Sequence, residues 1–194
     1  MRPWQGIVGQ HFTPVQFDQY IQTLHWITWR PSFIVLHNTA IPKLSDLPNG
    51  FSNASMQGFV NYYRDQQHWS AGPHLFVDDH LIWAFTPMTT PGVHSPSWNN
   101  QSIGIEMLGN YQTDDFNTGR GLAVRKNAMA AITSICSIFG WTSQNIRLHH
   151  EDPLTDHKDC PGKFVVKTAV LTDIDGLLAI NHPGEHDPNT GRLA

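Results

Sequence analysis

Two short runs constrain this chain more than any other part of it. Phe33-Ile34-Val35-Leu36 follows Pro31 and stops at His37, and residues 102–107 read Ser-Ile-Gly-Ile-Glu-Met. The first run is rich in strand formers and reads as a central strand with His37 at its C-terminal end. In the second, period-two alternation puts Ser102, Gly104 and Glu106 on one face and Ile103, Ile105 and Met107 on the other. Two such strands predict a sheet, and each delivers one chemically able side chain at or near its end.

The segments between them supply helices. Thr13 and Gln16 form a capping box with Pro14 at the first helical position, and Phe17, Tyr20, Ile21 and Leu24 recur on one face. Residues 55–69 carry a second helical stripe of Met56, Phe59, Val60 and Tyr63. The longest helix signal runs over 121–140 and closes at Gly140, while helix propensity returns weakly at 163–179. A hairpin is predicted with strands at 74–77 and 80–85 around Asp78 and Asp79, and the stretch 145–150 supplies a short last strand leading into a loop at its histidines. Residues 86–101 are too rich in Pro, Thr and Asn for regular structure. Strands interspersed with helices predict the α/β class: one domain over 1–180, a central mixed β-sheet flanked by helices, and a flexible tail over 181–194.

With 194 residues, 40 % of them apolar, the chain can bury a proper core. A net charge of -4 without a basic stripe argues against nucleic acid as a partner. No run of signal-peptide or membrane-spanning length is predicted. The expectation is a monomer made in the cytoplasm without a cleaved leader and without stable membrane insertion. The unusual counts are 12 His and 7 Trp. Histidine enrichment points to metal or proton chemistry, and tryptophans suit a groove for sugars or flat faces, although they also fill cores.

The chemistry concentrates in "HHEDPLTDHKDCPG", residues 149–162. His149, His150, His157 and Cys160 can each bind a soft or borderline metal. Mixed sheets gather their sites at strand ends, which brings His37 and Glu106 towards His149. The following loop then folds back to offer Cys160. Two imidazoles and a thiolate leave a fourth tetrahedral position open, the pattern of catalytic zinc. Other readings stand beside this one. Cys136 and Cys160 could bridge, His37 could be a hydrogen-bonded core-edge histidine, and Glu106 could be a structural carboxylate. The eleven positions from His149 to Cys160 match no tight zinc-finger spacing.

Four stretches, "FIVLHNTA", "SAGPHLFVDD", "PGVHSPSWNNQSIGIEM" and "LHHEDPLTDHKDCPGK", carry a resemblance. From about residue 31 to 170 the chain resembles the N-acetylmuramoyl-L-alanine amidases, the family that includes the peptidoglycan recognition proteins, and phage and prophage cell-wall amidases most of all. The resemblance implies one zinc ion per chain on His37, His149 and Cys160. It implies Glu106 as the acid–base group, with Gly104 beside it leaving room for water and substrate, and Lys158 stabilising the oxyanion.

The same resemblance implies His74 and His94 as substrate or structural contacts, and Trp98 and His150 are further candidates for touching substrate at the groove wall. Trp69, Trp83 and Trp98 are groove candidates. Many relatives read Gly-His-Arg-Asp where this chain has Leu148-His149-His150-Glu151, so the second ligand is His149 or, with a one-residue slip, His150. His149 is preferred because it directly follows the strand. His157 is a candidate for supporting a ligand, for lining the groove wall or for shuttling a proton. The implied partner is peptidoglycan or soluble muropeptides. The alternatives are a binding module that does not cut and a cytosolic recycling amidase acting on anhydro-muropeptides.

Overall fold

The computed structural model describes residues 3–181, so most of the predicted tail lies outside the described residues. The elements are β1 (His11–Phe12), α1 (Pro14–Gln22), β2 (Phe33–Asn38), α2 (Asn53–Val60), β3 (Leu75–Val77), β4 (Ile82–Ala84), β5 (Ser102–Met107), α3 (Gly119–Phe139), β6 (Ile146–Leu148) and α4 (Lys167–Asn181). The six strands form one sheet in the order β1-β4-β3-β5-β2-β6. β2 runs parallel to β5 and β6, β3 runs parallel to β5, and β4 is antiparallel to β3 and β1, so the sheet is mixed as expected.

The alternation in the strands sorts the sheet's two faces. Ile34, Leu36, Leu75, Val77, Ile82, Ile103, Ile105 and Met107 pack into the larger core with residues of α1, α3 and α4. Phe76 and Trp83, one residue out of phase, join Met56 and Val60 of α2 in a smaller core on the opposite face. His37 and Glu106 also emerge on that second face. It is therefore only partly covered, and the uncovered part is the site.

Local signals decide several boundaries. Thr13 accepts from the Gln16 amide and Gln16 answers to the Thr13 amide, completing the predicted capping box. Gly140 ends α3 in the left-handed conformation, φ 65°, which costs a residue without Cβ least. The hairpin strands are shorter than predicted because the Asp78 carboxylate takes over its turn. One oxygen accepts from the His80 and Leu81 amides, the other from the Phe51 amide and the Trp83 indole.

Two expectations need correction, and one element is new. The second helix is not uniform: it is α-helical to Val60 and π-helical over Asn61–Gln66, which opens the turn carrying Tyr62 and Tyr63. The two-residue strand β1 had no sequence signal, since it is held by pairing with β4 and by Phe12 stacking on Tyr20, contacts that only folding supplies. A helix of membrane-spanning length does exist: α3 has 21 residues and is apolar enough to cross by length and composition. Half of its most apolar window is buried inside this fold, because α3 packs on β3, β4, β5, α1 and α4.

Candidate active site

His37 and Glu106 are register partners on adjacent parallel strands, so both side chains leave the same face of the sheet side by side. On the other side of β2, Leu36 pairs with Leu148, the last residue of β6. The chain then enters a short 3-10 turn at His149, and this places its ring against His37, centroids 4.2 Å apart. Cys160 arrives from the loop. Its carbonyl accepts from both the backbone amide and Nδ1 of His150, at 2.9 and 3.0 Å. That double anchor leaves Sγ 4.0 Å from Nδ1 of His37.

Donor atoms of His37, His149 and Cys160 all lie within 4.8 Å of one another. Ligands at about 2.0–2.3 Å from one tetrahedral ion stand roughly 3.5 Å apart, so each need move by less than about 1 Å to share it. Nitrogen and sulfur donors suit a transition metal or zinc and do not suit calcium or magnesium. Burial reinforces this. It holds His37 well below the usual imidazole range, helped by the neighbouring His149 and His94, and lowers His149 to about 4. Both rings are thus neutral and available as ligands. Burial, with Glu106 nearby, pushes the Cys160 thiol up, so its thiolate lacks a compensating cation. The cluster fits a metal ion. Cys136, in contrast, is a free thiol buried in the core, so the two cysteines form no bridge.

The cluster opens into a cleft of about 940 Å³. One wall is the aromatic edge of α2 and its π-helical continuation, with Phe59, Tyr62 and Tyr63, extended by Trp69 just beyond it. The other walls come from residues 38–42, from Asn110 and Gln112, and from 156–160 including Lys158. Glu106 faces this space, and loss of hydration raises its carboxyl to about 8. Lys158 is exposed, with its ammonium 3.4 Å from the Asp152 carbonyl.

The expected contact residues divide. His94 lines the cleft, as does Trp69. His74 does not: it is fully buried, Nε2 donating to the Thr90 carbonyl at 2.9 Å and Nδ1 accepting from the Gly104 amide at 3.0 Å. Its surroundings supply the structural role. Trp98 lies outside the cleft lining, edge-on to Phe33 at 5.4 Å, and Trp83 is buried on Asp78. His150 is exposed and tied to the Cys160 carbonyl, so of the neighbouring pair it is His149 that meets His37. Gly104 does not leave room for water. A Cβ there would come within 2.5 Å of the His94 ring, which fills that space.

Two residues around the site had no motif to announce them. Thr155, buried, sets its hydroxyl 2.9 Å from Nε2 of His149 and accepts from the His157 amide. Asp152, also buried, accepts from the Ser95 hydroxyl at 2.5 Å and from the Ser97 amide at 3.0 Å, tying the loop of His94 to the loop of His149. A buried carboxylate needs such partners. Its sequence neighbourhood names none of them, because they lie more than fifty positions away.

The family model of N-acetylmuramoyl-L-alanine amidase matches residues 28–163, a span that includes β2 to β6 and the whole cluster. The chain belongs to this amidase family. Among curated proteins it is similar to peptidoglycan-recognition protein SC1a of Drosophila melanogaster, 31 % identical over 85 residues, 43 % of this chain and 45 % of that protein. The chain thus spans a little under half the length of that relative. The amidase fold is shared with solved structures at low identity. N-acetylmuramoyl-L-alanine amidase LysC from Clostridium intestinale URNW superposes with a TM-score of 0.60 at 17 % identity, over 90 % of this chain and 94 % of that one. The endolysine amidase LysCS from the same organism gives 0.59 at 19 % identity, over 79 % and 92 %.

Proposed function

We propose that this chain hydrolyses the amide joining the lactyl group of N-acetylmuramic acid to L-alanine in peptidoglycan, using one zinc ion held by His37, His149 and Cys160. The observation that carries the reading is the convergence of those three donors at the wall of a large cleft, with the Glu106 carboxyl facing the same space. Family membership supplies the bond class, and the cleft supplies room for a glycopeptide.

The chemistry a zinc ion contributes in such a site is Lewis acidity towards carbonyl and water. The residues divide the remaining work. Glu106 takes a proton from the attacking water as its oxygen bonds to the carbonyl carbon. It then gives a proton to the alanine nitrogen as the carbon–nitrogen bond breaks, leaving a lactyl carboxylate and a free amine. A carboxyl raised to about 8 by burial is suited to holding that proton between the two steps, and positive charge in the cleft favours the ionised form that must accept it. Lys158, at the cleft wall, stabilises the negative charge that develops on the carbonyl oxygen. The aromatic edge of Tyr62 and Trp69 offers flat apolar surface to sugar rings.

Metal analysis of the purified protein, combined with mass spectrometry of digested sacculi and of soluble muropeptides, tests this reading. The expected result is one zinc per chain and a new free N-terminal alanine amine. A protein that binds either substrate without releasing that amine is a binding module, and the hydrolytic reading falls.

A further inference from the structure

The sequence offers His94 as a substrate or a structural contact, and the structure, which sets it in the cleft lining, also ties it to the donor cluster. Nε2 of His37 lies 3.0 Å from Nδ1 of His94, and Nε2 of His94 lies 3.3 Å from the Ser102 carbonyl oxygen. The protons in this chain follow by elimination. A carbonyl oxygen only accepts, so His94 carries its hydrogen on Nε2. The Ser102 hydroxyl, 3.5 Å from the same nitrogen, donates its own hydrogen to the Trp98 carbonyl and so also acts as an acceptor there. In a neutral imidazole the other nitrogen is then bare, and Nδ1 of His94 must accept from His37. That assigns the hydrogen of His37 to Nε2 and its lone pair to Nδ1. Nδ1 is the atom that faces the Cys160 sulfur at 4.0 Å.

Two N–H groups cannot face each other at 3.0 Å, so one hydrogen lies between the two rings. The placement of His94 is built, not incidental. Its amide and that of Ser95 donate to the Asn99 side chain at 2.7 and 2.8 Å, Ser95 is tied to Asp152, and the ring occupies the space that Gly104 leaves by lacking a Cβ. We infer that His94 is a positioning residue: it holds His37 in the Nε2-protonated tautomer with Nδ1 turned to the metal, and the glycine at 104 exists to admit its ring. The inference rests on the metal reading given above, and it concerns the ligand set before any metal arrives.

Two substitutions separate this role from packing. His94→Asn keeps an acceptor oxygen where Nδ1 stands, whereas His94→Phe keeps the ring volume and removes the acceptor. Nitrogen-15 NMR of the metal-free protein reads the tautomer of His37 directly, and chelator competition reads the zinc dissociation constant. Wild type and His94→Asn should show His37 protonated on Nε2. His94→Phe should show both tautomers and bind zinc about 10–100-fold more weakly, the usual loss when a ligand's outer partner is removed. If His94→Phe retains the tautomer and the zinc affinity, the inference is overturned. It is also overturned if both variants lose affinity equally with matching losses of melting temperature, since that is a packing defect. A wild-type protein that binds no zinc overturns the metal reading itself, an outcome visible before either variant is made.

Discussion

His37 and Glu106 face each other across one rung of parallel sheet, and Phe76 completes the rung on the far side of Glu106. The would-be metal ligand and the would-be base are therefore held by the same ladder of backbone hydrogen bonds, and changing one side chain need not disturb the other. Glu106→Gln preserves shape but cannot accept a proton. Turnover should fall by roughly 10²–10⁴-fold, the usual worth of a positioned general base. Zinc content and melting temperature should stay as in the parent. Near-parental turnover on a folded, zinc-loaded variant sinks the proposed role.

The loop anchor distinguishes the two adjacent histidines. His149→Ala removes a cluster member and should abolish zinc binding, as should Cys160→Ala. His150→Ala removes only a hydrogen bond to the Cys160 carbonyl, so metal should be retained with weaker affinity and lower activity. Zinc stoichiometry measured by elemental analysis on all three variants checks this. Full zinc loss in His150→Ala with retention in His149→Ala would reverse the assignment.

Gly58 lies within α2, lines the cleft, and among the described residues has nothing within 4 Å of where a Cβ would stand. Neither packing nor backbone conformation requires a glycine there. Gly58→Ala should therefore stabilise the fold by about 0.5–1 kcal/mol through helix propensity. A methyl group on the cleft wall should at the same time raise KM several-fold while kcat changes little. Thermal melts and steady-state kinetics test both halves, and an unchanged KM means that substrate does not approach this face.

His74 gives the fold an acid sensitivity with a definite sign. Burial lowers it from 6.5 to about 4. The unfolded chain thus binds a proton that the folded one refuses between those values, and stability is complete above about pH 6.5 and falls as pH drops towards 4. Full development of that shift corresponds to on the order of 3 kcal/mol. Denaturant unfolding of the metal-free protein at stepped pH should show this loss, shallower in His74→Gln, whose amide does not titrate. Equal slopes in the two proteins would show that His74 is not the group responsible.

Much of the architecture was legible because it is written locally. The alternation in 102–107, the apolar run ending at His37, the capping box at Thr13 and the stop at Gly140 depend on near neighbours, and each stands where its pattern put it. The residue types able to bind a metal were equally plain in 149–162, as was their order along the chain. What the sequence determined by itself was this set of elements and donors. Tertiary structure decided which donors meet. His149 and not its neighbour faces His37 because β6 pairs with β2 in one register and the turn after it swings alternate side chains to opposite sides. His74 and Trp98 lie outside the cleft lining, and His94 meets His37, through partners sixteen to sixty-five residues distant along the chain. Burial, tautomer and pKa belong to that long-range packing, since each depends on what the folded chain removes from water.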